Sequence, residues 1–249
     1  MDNLFLLGGL PRSGITVLSS LLNQNPNVYV TTTSPFVEIL WRNFSLWNDD
    51  EYKCELSTDS FQSLKVPFLN KVTESFYSGL TEAPTVIDKR RQWQSPANIE
   101  MYKEVYGVLP KIICPVRDVA DIIVSYMQVF ERNGIMWNYG KLMKGNKFEH
   151  SFYQLKEAFE SEFSDCLHLV EYNDLVDKPN ETLDGIYKFL GMDSFKHSFD
   201  IKAHEKEANF NLDGLHDLRP KLARTNVPNS KYLSEKQINE YNKKIFWRS

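Results

Sequence analysis

The sequence predicts an α/β fold, a three-layer sandwich in which helices flank both faces of a mainly parallel central sheet. Short apolar runs alternate along the chain with longer segments whose apolar residues recur at helical spacing. Strands that are joined through helices run parallel and are covered on both faces. The 249 residues, 42% of them hydrophobic, are enough for one core, and no repeat or linker divides them. We therefore expect one domain over residues 1–249.

The first half of the chain predicts four strands that alternate with helices. Apolar runs bounded by glycine, proline or charged residues indicate the strands, and apolar residues three and four apart indicate the helices. Ser95 followed by Pro96 is typical of a helix start, and this helix is expected to end near Gly107. The predicted elements in chain order are a strand at Leu4–Leu7, a helix at Ile15–Leu22, a strand at 28–30, helices at 35–44 and 59–80, a strand at 85–87, the helix from Pro96, a strand at 111–116 and a helix at Val119–Arg132.

The second half predicts one more strand and further helices. Residues 134–145 have no clear period and predict a long loop near the active face. A helix over 148–163, a strand over Leu167–Glu171 and a helix over Pro179–Leu190, with Gly191 as its cap, follow. Residues 195–233 carry little regular pattern and are expected to wrap over a ligand. Ser234 and Gln237 form a capping box for a last helix.

Charge and cysteine content limit the possible partners and location. The net charge of −4 gives no overall attraction to a polyanion, so we expect no nucleic-acid partner and only a local positive site. No stretch approaches the roughly 20 apolar residues of a membrane span, and no leader pattern precedes the first strand. Cys54, Cys114 and Cys166 are widely spaced, which favours free thiols in a reducing compartment. The sequence therefore predicts a cytoplasmic protein without a membrane partner.

A glycine-rich turn between the first strand and the first helix predicts an anion site. Backbone N–H groups at such a turn and at a helix N-terminus bind phosphate-like groups. Gly9 and Gly14 have the interval of a nucleoside-triphosphate loop, which makes the predicted sandwich P-loop-like. The lysine of such a loop is absent, because Ile15 stands in its position. The positive charge is instead at Arg12.

The turn resembles the 5′-phosphosulfate loop of the sulfotransferase family, whose core reads Pro-Lys/Arg-Ser-Gly-Thr-Thr. The matching residues here are Pro11, Arg12, Ser13, Gly14, Ile15 and Thr16. The arginine form is closer to the bacterial and protein-tyrosine branches than to the cytosolic small-molecule enzymes. Ile15 departs from the usual threonine, so one hydroxyl contact is lost while the backbone donor remains.

Two further segments extend the resemblance over roughly residues 4–190. The family pairs an arginine at a strand end with a serine eight positions later to hold the donor's 3′-phosphate, and Arg117 and Ser125 have this spacing. Arginine is suited to a two-pronged phosphate contact. Tyr172 follows the strand Leu167–Glu171, as does a family tyrosine that contacts the nucleotide. The cofactor-binding residues that the resemblance implies are therefore the six loop residues with Arg117, Ser125 and Tyr172.

The resemblance implies transfer of a sulfuryl group from 3′-phosphoadenosine 5′-phosphosulfate (PAPS) to a hydroxyl or amine, leaving adenosine 3′,5′-bisphosphate (PAP). Such a transfer needs charge stabilisation of the leaving oxygen, an in-line acceptor and a base. Arg12 is expected to stabilise the leaving oxygen, and Lys89 to approach the sulfuryl group. For the base, Glu38 is the closest carboxylate and Asp88 is an alternative, and the sequence leaves the choice between these and another residue open. No metal motif is present, and none is required in principle.

The acceptor and two competing functions remain open. Trp41, Phe44, Trp47, Trp93 and Trp137 lie in regions expected to frame the cleft, which favours a carbohydrate or small alcohol over a peptide. Lys221 or Arg224, in a late basic segment, could contact a phosphate. A P-loop kinase or NTPase is one alternative, but it would need a lysine at position 15 and carboxylates for magnesium. A nucleotide-binding module with a decayed active site is the other.

Overall fold

A computed structural model describes residues 3–47, 49, 51–136, 147–202, 214, 217–224 and 228–248. The strands are β1 (Leu4–Leu7), β2 (Val28–Thr33), β3 (Thr85–Lys89), β4 (Ile112–Val116) and β5 (Leu167–Glu171). The helices are α1 (Ile15–Leu22), α2 (Phe36–Leu46), α3 (Lys53–Leu56), α4 (Asp59–Gln62), α5 (Lys65–Ser78), α6 (Pro96–Tyr106), α7 (Val119–Arg132), α8 (Lys147–Phe159), α9 (Tyr172–Asp177), α10 (Pro179–Leu190) and α11 (Glu235–Asn242). Short 3₁₀ helices cover Arg91–Gln94, Ser164–Cys166 and Asn229–Lys231.

The five strands form one parallel sheet in the order β2-β3-β1-β4-β5. Leu7 of β1 is in register with Lys89 of β3 and with Ile113 of β4, so β1 lies in the centre. The chain first moves from β1 toward β2 and then crosses to β4 on the other side. Ligands of open parallel sheets bind at such a reversal, outside the carboxyl ends of the strands.

Alternating side chains of each strand divide the core between the two faces of the sheet. Leu6 belongs to the apolar cluster that α2, α5, α6, α7 and α8 cover, whereas Leu7 belongs to the cluster that α1, α9 and α10 cover. Ile112 and Ile113 of β4 divide in the same way. Both faces are buried, which confirms the predicted three-layer sandwich with a parallel sheet.

Most predicted elements are confirmed, and the differences have local causes. β2 and β3 continue to Thr33 and Lys89, beyond their apolar runs, because their last residues still pair with each other. The predicted helix at 59–80 is divided into α4 and α5. Pro67 is the third residue of α5, where its missing N–H needs no partner. Helices α3 and α9 were not predicted.

The helix caps are as the sequence indicates. Ser95 Oγ accepts from the backbone N–H of Asn98, Gly191 ends α10 with φ of 77°, and Ser234 with Gln237 forms the capping box of α11. Cys114 and Cys166 are free and buried. No helix within the described ranges is long and apolar enough to cross a membrane. The predicted loop at 134–145 and the segment 195–233 lie partly outside the described residues.

Candidate active site

The strand order brings the sequence-predicted residues into one row along the carboxyl edge of the sheet. Glu38 lies on α2 after β2, and Lys89 is the last residue of β3. The loop of residues 8–14 follows β1 in the centre. Arg117 follows β4, and Tyr172 follows β5 as the first residue of α9. The loop therefore separates Glu38 and Lys89 on one side from Arg117 and Tyr172 on the other.

Three residues give the loop its shape. Gly9, Arg12 and Gly14 have φ values of 94°, 61° and 88°. These values lie in the left-handed region, which residues with a Cβ atom rarely adopt. A Cβ on Gly9 would lie 2.5 Å from the carbonyl oxygen of Pro115, and a Cβ on Gly14 would lie 2.8 Å from Cδ2 of Tyr172. The loop thus needs glycine for its backbone conformation and for close contact with the ends of β4 and β5.

Ser13 stabilises the loop from inside. Its side chain is fully buried, and Oγ lies 2.5 Å and 2.8 Å from the carbonyl oxygens of Leu10 and Pro115. Pro11 is buried, whereas Ile15 and Thr16, in the first turn of α1, are half-buried. The hydroxyl of Ser13 is therefore engaged by the backbone of the protein itself.

Arg12 joins the loop to both ends of the second predicted motif. Its Nε–H donates to Ser125 Oγ at 3.1 Å, and its carbonyl oxygen accepts from Nη1 of Arg117 at 3.4 Å. Burial lowers the pKa of the Arg12 guanidinium from its ordinary value, Arg117 lowers it further, and Tyr126 opposes the shift. Arginine remains charged at neutral pH even so. The structure therefore brings Arg12, Arg117 and Ser125 together, although they come from two strand ends.

Arg117 and Tyr172 form a stacked pair. The guanidinium carbon of Arg117 lies 4.4 Å from the centroid of the Tyr172 ring, and Arg117 Nε lies 3.3 Å from Asp121 Oδ2. The ring also lies beside Gly14 of the loop, where an added Cβ would come within 2.8 Å of it. The Tyr172 hydroxyl donates to the carbonyl oxygen of Ala223 at 3.4 Å. Tyr172 thus links the loop, Arg117 and the late segment of the chain.

The other side of the loop carries Lys89 and Glu38. Lys89 is buried, its backbone N–H donates to Thr31 Oγ1 at 2.8 Å, and it is in register with the last residue of β1. Glu38 is about half exposed, with 46% of its side-chain surface accessible. Gln92 Nε2 donates to Glu38 Oε1 at 2.7 Å, and Arg90 Nη2 lies 3.9 Å from the same oxygen. The carboxylate is oriented and reachable from solvent.

Asp88, the alternative base of the sequence analysis, is directed into the core. It is fully buried, and its Oδ1 accepts from Nε1 of Trp93 at 2.6 Å. Oδ2 has no hydrogen-bond partner among the described residues, although the hydroxyls of Ser34 and Tyr77 lie near the carboxyl group. Burial raises the pKa of Asp88, and these polar neighbours oppose the shift. The expectation that Trp93 frames the cleft is wrong, because its ring is fully buried.

Sequence reasoning missed Arg91 and Tyr126. The Tyr126 hydroxyl is hydrogen-bonded to the Arg91 guanidinium, and Arg12 also lies near it. Burial raises the pKa of Tyr126, and the two arginines oppose the shift. The available signals were the basic run of residues 89–91 and the position of Tyr126 next to Ser125. Sequence alone did not show that the two signals meet.

The late basic segment is only partly described. Arg224 forms an ion pair with Asp177 of α9, and Lys221 forms an isolated antiparallel bridge with Asp200. Trp41 is exposed, Trp47 is half-buried, and Trp137 lies outside the described residues. Within the described ranges, no group of three or more His, Cys, Asp or Glu residues could hold a metal ion.

A surface depression lies away from this row. It is lined by Glu100, Lys103, Glu104, Glu162 and Phe163. Glu162 and Phe163 precede β5, so the depression is beside the amino end of that strand. The loop and the predicted site residues are at the opposite, carboxyl edge of the sheet. We therefore assign the candidate active site by chemistry and topology rather than by cavity shape.

Fold and site together define a class, that of α/β proteins with an anion-binding loop after the central strand of a parallel sheet. The sequence profile described as "Sulfotransferase family" matches residues 5–197, and the chain belongs to this family. It is therefore a transferase by family, as the sequence resemblance implied. No curated protein matches the sequence.

Solved sulfotransferase structures share the fold. Mouse sulfotransferase SULT7A1, crystallised in complex with PAP, is 17% identical, and the alignment covers 98% of this chain and 83% of that chain with a TM-score of 0.54. A sulfotransferase from Alicyclobacillus acidocaldarius is 13% identical over 82% of this chain and 85% of that chain, with a TM-score of 0.51. At these identities the similarity supports the fold and does not assign a branch of the family.

Proposed function

We propose that the chain transfers a sulfuryl group from PAPS to a hydroxyl or amine of a carbohydrate or small alcohol. The observation that carries the proposal is the junction at Arg12, whose side chain reaches Ser125 and whose carbonyl oxygen accepts from Arg117. Two cationic groups from different strand ends thus lie next to each other. A nucleotide with anionic groups at two ribose positions fits two adjacent anion sites. The PAP complex of the mouse relative supports this donor.

The residues divide between the two ends of the donor. The backbone N–H groups of the loop and the Arg12 guanidinium would hold the 5′-phosphosulfate. Arg117 and Ser125 would hold the 3′-phosphate, and Tyr172 would contact the nucleotide between them. In this assignment the nucleoside lies at the carboxyl ends of β4 and β5. The sulfuryl group is directed toward Lys89.

The reaction exchanges one sulfur–oxygen bond for another. The acceptor oxygen or nitrogen attacks sulfur, the bond from sulfur to the bridging phosphate oxygen breaks, and PAP leaves with the bonding electron pair. Arg12 and Lys89 stabilise the negative charge that develops on the bridging oxygen and the sulfuryl oxygens. The acceptor proton goes to Glu38. Its half-exposed position on α2, close to exposed Trp41, supports an acceptor that enters from the β2 side of the sheet.

Glu38→Ala is expected to lower kcat by about 10²- to 10⁴-fold, the usual contribution of a general base. The fold should be retained, because the side chain is half exposed and its partners are also polar. Steady-state kinetics with a saturating donor and thermal unfolding would be measured together. Glu74→Gln, which changes an exposed carboxylate paired with Lys71 on α5, is the matched control. Unchanged kcat in Glu38→Ala would remove Glu38 as the base.

Asp88→Ala separates the two candidate carboxylates. This change leaves the buried indole N–H of Trp93 without its acceptor, which costs about 1–3 kcal/mol of unfolding free energy. In the proposed mechanism kcat per folded molecule stays within about twofold of the wild type, because Glu38 and not the buried Asp88 takes the acceptor proton.

The remaining features of the proposal are one domain over residues 1–249, chemistry without a metal, and a cytoplasmic location. The free and buried thiols of Cys114 and Cys166 support a reducing compartment.

Donor recognition can be tested by calorimetry. We expect PAP to bind, and ATP with magnesium to bind at least about tenfold more weakly, since ATP lacks the 3′-phosphate. Equal affinity for the two nucleotides, or no affinity for PAP, would overturn the proposed function. A screen of acceptors with sulfur-labelled PAPS then tests catalysis. Donor binding without transfer to any carbohydrate, alcohol or amine would favour the decayed nucleotide-binding module.

A further inference from the structure

Arg248, near the end of the chain, holds two carboxylates from different strand ends. Its Nη1 lies 2.8 Å from Asp118 Oδ1, and its Nε lies 2.8 Å and 2.9 Å from the two carboxylate oxygens of Glu171. Its Nη2 also contacts Glu171. The two carboxylates are mostly shielded from solvent, with side-chain exposures of 27% for Asp118 and 23% for Glu171. A planar guanidinium is suited to such a two-sided contact.

These carboxylates flank the residues that the proposed function assigns to the nucleotide. Asp118 follows Arg117 directly, and Glu171 directly precedes Tyr172. The strand residues at this level are in register, since Val116 of β4 pairs with Glu171 of β5. Arg117 is stacked on Tyr172 at 4.4 Å. Arg248 thus fixes the two backbone segments from which the stacked pair projects.

We propose that Arg248 is a positioning residue for recognition of the donor's 3′-phosphate, which it serves by holding Asp118 and Glu171 and thereby Arg117 and Tyr172. This inference rests on the proposed function. Arg248 acts in two ways. It holds the ends of β4 and β5 at one spacing, and it neutralises two negative charges next to a site that must accept a phosphate.

The electrostatic part follows from burial and charge. Burial raises the pKa of Asp118, Arg248 opposes the shift, and Asp121 and Glu171 reinforce it. Without Arg248, Asp118 and Glu171 would repel each other and would oppose a phosphate at Arg117. A half-shielded pair of like charges is screened only weakly by salt.

The chain end that carries Arg248 is anchored independently of this ion pair. Phe246 is buried, and its ring lies 5.4 Å from Phe152 and 5.3 Å from Phe159 of α8, measured between centroids. Trp247 lies against Phe246 at 4.9 Å. Burial of such aromatic rings contributes more than a partly exposed ion pair does. A substitution at Arg248 is therefore expected to leave the chain end in place.

The test compares two ligands that differ in the 3′-phosphate. Calorimetry on the full chain would give dissociation constants for PAP and for adenosine 5′-monophosphate. Arg248→Met is expected to weaken PAP roughly 5- to 20-fold, within the usual range of coupling between sites, and to weaken the monophosphate, which has the nucleoside but lacks the 3′-phosphate, by a clearly smaller factor. Lys71→Met, at a remote exposed ion pair, is the control and should change neither constant.

Two further variants separate positioning from general destabilisation. Arg248→Lys keeps the positive charge but lacks the planar guanidinium that contacts both carboxylates, and it should retain part of the PAP affinity. Adding Glu171→Gln to Arg248→Met removes one uncompensated charge and should restore part of the loss. Equal weakening of both ligands, or no change in PAP affinity, would overturn the inference. If the wild-type protein itself does not bind PAP, the proposed function fails first and this inference fails with it.

Discussion

Replacing Arg12 with alanine is expected to lower kcat by about 10²- to 10³-fold, as removal of one transition-state donor does in other enzymes. In the proposed mechanism the Arg12 guanidinium, whose Nε–H donates to Ser125 Oγ, stabilises the charge that develops on the bridging oxygen of the 5′-phosphosulfate. The loss should appear in kcat more than in the KM of the acceptor, because Arg12 lies on the donor side of the row. Initial rates with labelled donor, at varied acceptor concentration, would measure both constants.

The backbone at Arg12 makes a sharper version of this experiment possible. Its φ of 61° is the only positive value among the described residues other than glycine, and such a conformation costs about 1–2 kcal/mol. Arg12→Gly should therefore lose as much activity as Arg12→Ala while unfolding at a higher temperature than the alanine variant. Activity that falls only in proportion to the folded fraction of either variant would contradict a catalytic role. Unchanged turnover would remove Arg12 from the mechanism.

The sequence was sufficient for the features that depend on local pattern. Strand β1, the glycine turn and helix α1 are adjacent in the chain, so apolar spacing and two glycines predict their geometry. The same holds for Arg117 and Ser125, which project from one strand end and the helix that follows it. Parallel strands align their carboxyl ends, so the meeting of Arg117 with the loop also followed from the alternation of strands and helices.

Contacts between distant segments could not be predicted in this way. Arg12 and Ser125 are 113 residues apart, and Arg248 and Glu171 are 77 apart, so no spacing rule relates them. The hydrogen bond of Arg91 to Tyr126 is of the same kind. Asp88 and Lys89 show a different difficulty. They are neighbours in β3, so their side chains project to opposite faces of the sheet. The sequence analysis ended this strand at residue 87, before both of them, and so it did not show which of the two faces the core.

Gly14→Ala is expected to weaken PAP binding by at least about tenfold and to destabilise the fold by roughly 2–5 kcal/mol. The alanine would have to adopt the φ of 88° that Gly14 has, and its Cβ would lie 2.8 Å from Cδ2 of Tyr172. Tyr172 is buried against Arg117, so the ring has to shift and take the stacked guanidinium with it. One methyl group would thus disturb both the loop and the proposed 3′-phosphate contact.

Gly107→Ala is the matched control, because it separates backbone strain from steric displacement of Tyr172. Gly107 ends α6 with φ of 72°, and a Cβ there meets nothing within 4 Å. Its substitution should cost only the strain of about 1–2 kcal/mol and leave PAP affinity unchanged. Denaturant titration and calorimetry on both variants would measure the two effects. Equal destabilisation by the two variants, with normal PAP affinity in Gly14→Ala, would show that contact between the loop and Tyr172 does not determine donor recognition.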